Sequence, residues 1–515
     1  MGQLFQNRRQ KKINNRTEQM NKNSEDNLLS DSFDKNIQTV SSLFEDVDIL
    51  RIKYIENNHD KNQKYCIIFC DGMVNASIIN ESIIKPLMLS CVSVKSKDML
   101  DTIVTQIIQI GKMEKTNKIN DVVEAIAGGD TILFVDGTEQ ALILNAKGFQ
   151  TRSITEPDNE KNLNGPREGF TESLMLNLSM IRRKVLTSDL KMKYYSLGQR
   201  TNTKACICYM KGIVNNEILA ELYRRLDEIK IDGMLDTNYI TELIKDAQLS
   251  PFRTTGYTER PDVVIGKLLE GRIAIFLDGT PDVLTIPYLF IENFQSSEDY
   301  YLSFFYSSFS RLLRIIGFFL TVTVPALYIA VVAFHQEMMP MNLFISIAAE
   351  RQSVPFPAAL EAFLMLIVFD ILRETGIRMP TNTGQALSIV GALVIGQAAV
   401  EAKLVAAPMI IVVALTGITN LLIPKMNAPV IYVRLMLLAL ASCFGFFGLI
   451  LGISCVLIHV INLRSFGIPQ VTLSGNLKYQ KIKDIIIRAP WWQMIQRPGF
   501  AGDNVRMKNG GNQHD

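Results

Sequence analysis

The chain has 515 residues, of which 48% are hydrophobic and 20% charged, with 53 Lys and Arg against 51 Asp and Glu. A net charge of +2 speaks against a nucleic-acid coat, and four histidines speak against a histidine-rich metal centre. Seven cysteines in so long a chain do not make a disulfide scaffold.

Residues 1–34 are polar and basic, with Arg8, Arg9, Lys11 and Lys12 but no apolar run behind them, so no secretory signal is expected. They read as a disordered basic segment ahead of a domain that stays on the cytoplasmic side, where thiols remain reduced. Two strings then recur about 140 positions apart. Tyr65-Cys66-Ile67-Ile68-Phe69-Cys70 returns as Ala205-Cys206-Ile207-Cys208-Tyr209-Met210, and Ile132-Leu133-Phe134-Val135-Asp136-Gly137-Thr138 returns as Ala274-Ile275-Phe276-Leu277-Asp278-Gly279-Thr280. Two repeats in the same order predict a duplicated α/β domain, with subdomains over 35–150 and 190–295. Each copy reads as a strand, helices such as 218–229, and a hairpin turned by Asp-Gly: 131–135 with 141–144, and 273–277 with 283–286. Between the copies, 151–189 reads as a linker and then a helix over 167–187 carrying Arg182, Arg183 and Lys184.

From 296 to 464 the chain changes character. Formal charges are absent from 315–336, 379–400, 404–424 and 435–463. A helix needs roughly 20 apolar residues to cross about 30 Å of hydrocarbon, so this part predicts an α-helical polytopic membrane domain. Arg311 and Arg314 precede the first run, whereas 335–345 holds no Lys or Arg. The positive-inside rule then places the N-terminal domain in the cytoplasm. The tail, 465–515, carries Lys478, Lys481, Lys483, Arg488 and Arg497 and belongs on the same side, which requires an even number of crossings. The apolar segments number about five, counting a weak one at 355–373 broken by Glu361 and Asp370. The expectation is therefore four spans plus one re-entrant or interfacial segment within 355–424. Trp491 and Trp492 suit interfacial anchoring or docking on the protein's own domain.

The soluble half holds no Walker loop, no Gly-x-Gly-x-x-Gly and no His-Glu-x-x-His, so no enzyme, cofactor or metal is expected. Cys66 with Cys70, and Cys206 with Cys208, share one strand face and read as core. Asp136 and Asp278 read as turn residues. The membrane half is more informative. Glu361 inside an apolar helix either pairs with Arg351, Arg373 or Arg378, or faces water on an ion path. Asp370, Arg373 and Glu374 lie about one turn apart and can pair along their own helix. Residues 386–401 are rich in Gly, Ala and Ser, and Gln397 and Glu401 share a face at i and i+4. Such a helix can line a narrow multi-subunit pore with apolar gating residues, or simply pack tightly within one subunit. The pore or gating candidates are Glu361, Ser388, Gly391, Val394, Ile395, Gln397 and Glu401; Gly396, Gly448 and Gly452 are read as helix-packing positions.

Several longer strings resemble a known family. Gly165-Pro166-Arg167-Glu168-Gly169-Phe170-Thr171-Glu172, Thr258-Glu259-Arg260-Pro261-Asp262 and Val354-Pro355-Phe356-Pro357 are similar to the A-subunit family of GerA-type spore germination receptors. So are Leu372-Arg373-Glu374-Thr375-Gly376 and Gly396-Gln397-Ala398-Ala399-Val400-Glu401-Ala402, with Thr375 where the family more often has a smaller residue. The resemblance runs from about residue 35 to 490. It implies a nutrient receptor of the spore inner membrane that works with B and C subunits and self-assembles into a ligand-gated cation channel, with lipid but no nucleic acid as a further partner. The alternative is a non-conducting scaffold or a subunit resembling a secondary transporter, against which the spans show no inverted repeat.

Overall fold

The computed structural model describes residues 28–60, 63–90, 99–148, 160, 162, 164–379, 391, 394–471, 484–502 and 505–506. Ahead of residue 300 it contains two five-stranded sheets. The first holds β1 (Leu50–Glu56), β2 (Lys64–Cys70), β3 (Met113–Thr116), β4 (Thr131–Val135) and β5 (Ala141–Leu144). The second holds β6 (Leu190–Leu197), β7 (Thr203–Met210), β8 (Gly256–Thr258), β9 (Ile273–Leu277) and β10 (Val283–Ile286). Their strand orders, β1-β2-β4-β5-β3 and β6-β7-β9-β10-β8, trace the same path. Every pairing within them is antiparallel, so the α/β expectation holds as a mixture of helix and sheet without a parallel crossover.

The recurring strings form the central strands β2, β4, β7 and β9. β4 and β9 are buried on both faces, which is why they read as continuous apolar runs. Gly137 and Gly279 turn the two hairpins at φ of 78° and 94°, a region that strains any residue with a side chain. Cys66, Ile68 and Phe134 share one core with Cys206, Cys208 and Phe276. That core is covered by α1 (Phe33–Leu43), α2 (Ile119–Ala127) and α3 (Leu174–Lys184), and joined by α6 (Pro261–Leu269); α4 (Asn216–Asp227) and α5 (Thr237–Ile244) cover the other face of the second sheet. Burial pushes the Cys66 thiol up to about 12, so it behaves as a core group. α3 is shorter than the helix expected over 167–187: residues 167–173 form no regular element, and the helix ends at Lys184. The Leu174 N–H that opens α3 donates to Asp278 Oδ1, so that turn aspartate also caps a helix.

Residues 304–462 are mainly helical: α7 (Phe304–Ile329), continuing to Phe334, α8 (Met341–Arg351), α9 (Ala358–Arg378), α10 (394–401), α11 (Ala407–Leu421) and α12 (Asn427–Asn462). Phe304–Phe334 and Pro424–Asn462 are long and apolar enough to cross a membrane. The second is not straight. At Gly445 the backbone takes φ 57° and ψ −135°, and α12 folds back on itself. A side chain at Gly448 would fall on the Leu440 carbonyl, and one at Gly452 on the Leu437 side chain. In a straight helix residues 437 and 452 would lie about 22 Å apart. The tip, Gly445, packs against Phe334 and His335 at the far end of α7, while Val460 and Leu463 share a core with Phe318 nearer its start. The expectation of one span over 435–463 is thus corrected to parts of two antiparallel legs, 427–444 and 446–462. Each leg is about 26 Å long. Straight or doubled, the run presents the same apolar composition, so composition could not reveal the reversal.

Candidate functional site

α10 and α11 form a second hairpin. Lys403 reverses the chain with φ 55°, and Gly396 on α10 faces Ile410 on α11, where an added Cβ would sit 3.7 Å from Ile410 Cγ2. Glu361 holds this reversal. It lies in the first turn of α9, is 1% exposed, and its Oε2 accepts the Ala406 N–H at 3.0 Å where α11 begins. Its Oε1 is 3.5 Å from Arg351 Nη2 at the end of α8. One carboxylate therefore ties three helices, offsetting an N-terminal partial charge and a guanidinium. Of the three arginines considered as partners, Arg351 is the one in place.

Asp370 pairs across the bundle rather than along its helix: its Oδ2 accepts from Arg434 Nη2, and Arg434 is fully buried on the outgoing leg of α12. Arg373 Nη1 donates to Asn427 Oδ1 at 3.4 Å. Only Glu374 makes the local pair, with Arg378 at i+4. Sequence reasoning missed the Asp370–Arg434 bond because Asp370 was matched only with charges on its own helix, and Arg434 is 64 positions away. The available signal was one isolated arginine among apolar residues, with an unpaired carboxylate on a neighbouring apolar helix.

The remaining candidates divide by exposure. Ser388 lies outside the described residues. A Cβ on Gly391 would meet Leu372 Cδ2 at 3.0 Å. Val394 and Ile395 are 55% and 38% exposed, Gln397 and Glu401 are exposed with them, and Gly396 is buried. Val394, Gln397 and Glu401 lie at i, i+3 and i+7 and form one uncovered face of α10. Gly448 and Gly452 serve contact between the two legs of α12.

At the base of α7, Arg311 and Arg314 do not stand free as flanking charges. Arg314 Nη2 donates to Asp299 Oδ1 at 2.7 Å, and Arg311, fully buried, donates through Nε to Asp299 Oδ2 at 3.3 Å and through Nη1 to Asp484 Oδ1 at 3.0 Å. Burial pushes the Asp484 carboxyl up despite Arg311 beside it. Burial would also raise Glu292, yet Arg272 and Lys267 hold it below the usual carboxylate range. Asp484 belongs to the tail, read above as a basic extension whose tryptophans suit anchoring or docking, and its described part docks on the chain's own helices and second sheet domain. Arg497 Nε donates to Leu269 O and Gly502 N to Ile213 O, both at 2.8 Å, and Phe500 lies under Arg272.

The family described as Bacillus/Clostridium GerA spore germination protein matches residues 35–500. Spore germination protein KA of Bacillus subtilis (strain 168) is 40% identical over 489 residues, 94% of this chain and 90% of that protein. The uncharacterized membrane protein YfkQ of the same strain is 42% identical over 435 residues, 84% of each. The crystal structure of the N-terminal domain of the A subunit of the Bacillus megaterium spore germinant receptor GerK3 aligns at 30% identity and a TM-score of 0.40, covering 51% of this chain and 97% of that one. With a family match over nearly its whole length and relatives this similar, the chain belongs to the GerA spore germination protein family.

Proposed function

We propose that this chain is the A subunit of a nutrient-responsive germinant receptor in the spore inner membrane. In this reading it works with B and C subunits, and several copies form a ligand-gated cation channel. Family membership supports the receptor role. The channel reading is carried by one observation: the Val394–Gln397–Glu401 face of α10 is left exposed by the described residues. A carboxylate in an apolar helical domain is costly against lipid and is relieved by water or by a second subunit. Copies arranged with α10 inward would give a polar mouth at Gln397 and Glu401 and an apolar constriction at Val394, able to gate by dewetting. In this reading α7, α9, α10, α11 and the two legs of α12 run alternately out and back, six passes in place of four spans and one re-entrant segment, and the tail returns to the side of the sheets. Nutrient binding on a partner opens the path only through differential affinity for the closed and open states.

Val394→Asn should make spores leak K⁺ without germinant, and Glu401→Gln should slow germinant-triggered release, with the receptor still present in inner-membrane fractions. Unchanged K⁺ release in both, with subunit levels retained, removes α10 from the pore. Binding of radiolabelled nutrient by this chain alone would favour the transporter-like or scaffold reading.

A further inference from the structure

α5 turns Thr237, Ile240 and Ile244 inward. Tyr239 and Leu243, one turn apart, stay on its outer side, 40% and 47% exposed. Leu249, beyond the helix end, is wholly exposed. Among the described residues nothing fully covers these apolar groups, and their position points to what does. Ala247 and Phe252, on either side of Leu249, pack with Phe318, Val460 and Leu463 of the membrane half. Ser250 Oγ is 2.8 Å from His459 Nε2, in the last turn of the returning leg of α12, and the Phe252 ring lies 5.9 Å from the same imidazole. Asp246 Oδ2 accepts the Phe466 N–H at 2.5 Å, just past the end of that leg. The loop from Asp246 to Phe252 is thereby fixed at the level where the leg leaves the apolar layer. Successive Cα atoms are about 3.8 Å apart, so Leu249 cannot stand far from that level. Leu457, Ile458 and Ile461 on the same leg are also exposed, so the apolar surface continues from the crossing helix to the loop.

We propose that the Leu243–Leu249 end of this stripe rests in the phospholipid interface on the sheet-bearing side. The two leucines enter the upper acyl region and Tyr239 lies at the headgroups, so the second α/β unit is held against the bilayer. An amphipathic surface with leucines on one side and a tyrosine at its edge is chemically matched to that boundary. The inference rests on the membrane reading above, and its test separates the two.

In a full-length background with Cys91, Cys443 and Cys455 changed to Ser, single cysteines are placed by Leu249→Cys, Leu243→Cys, Ile458→Cys and Tyr54→Cys. Each protein is labelled with bimane and reconstituted in phosphatidylcholine vesicles containing doxyl-labelled lipid. Ile458 reports on the crossing helix, and Tyr54 on an exposed strand of the first sheet. Expected is strong lipid quenching at 458, clear quenching by shallow doxyl labels at 249 and 243 with little access to aqueous iodide, and the opposite pattern at 54. Quenching at 458 with iodide access at 249 equal to that at 54 overturns the docking and leaves the membrane reading intact. No lipid quenching at 458 overturns the membrane reading, and the docking with it. Shielding at 249 from iodide and lipid alike, varying with protein-to-lipid ratio, assigns the patch to a second copy and also overturns the docking.

Discussion

At the scale of single residues, the helical half is organised by a few buried charges. Glu361 has two obligations, the Ala406 N–H and the Arg351 guanidinium, and almost no access to solvent. Glu361→Leu should leave both unmet and cost about 3 kcal/mol, whereas Glu361→Gln retains an acceptor for the N–H and should cost about half as much. Thermal unfolding of the detergent-solubilised protein would show this order; equal midpoints for Leu and wild type would mean the pair carries no structural weight. The glutamate was legible in the sequence because a carboxylate among apolar residues is expensive. Its partner was not, since Arg351, Arg373 and Arg378 are all within reach along the chain, and only the return of α8 towards α9 selects Arg351. Asp370 shows the same limit more sharply: its partner, Arg434, is 64 positions away on another helix.

At the scale of elements, local chemistry fixed the strands and turns and left helix direction open. The Asp-Gly hairpins 131–144 and 273–286 have the bounds that their apolar runs predict. The doubling of α12 depends on Gly445, whose φ and ψ lie where only glycine is comfortable and whose absent side chain admits Phe334 and His335. Gly445→Ala should destabilise the bundle by about 2–3 kcal/mol, through backbone strain plus displacement of the Phe334 ring. Gly448→Ala should be at least as harmful, because its Cβ would meet a backbone carbonyl that cannot move aside. Gly396→Ala, with room towards Ile410, should be close to neutral. Subunit abundance in membrane fractions, read by immunoblot, would rank the three; a neutral Gly445→Ala would contradict the hairpin.

At the scale of the whole molecule, the sheets and the helical bundle are joined by a docked tail. Asp484 meets Arg311 and Tyr300 at the base of α7, and Gly502 and Arg506 reach the second α/β unit through Ile213 and Glu270. Ending the chain after residue 483 would remove the Asp484 carboxylate from the fully buried Arg311 and leave Asp299 as its acidic partner. We expect a loss of about 3 kcal/mol and release of the second α/β unit from the bundle, seen as a lower unfolding midpoint and faster amide exchange in 261–272. Unchanged exchange there would mean that the loop around His459 suffices to hold the halves together.

The sequence by itself determined the central strands, the Asp-Gly turns, the repeated strand-and-hairpin pattern and the division into a charged half and an apolar half. These follow from side-chain periodicity and composition over a few neighbouring residues. Only the tertiary structure decided which distant charges meet, where an apolar helix doubles back and which face of α10 stays uncovered. Apolar composition is compatible with each of these arrangements, so the choice among them rests on contacts between segments far apart in the chain.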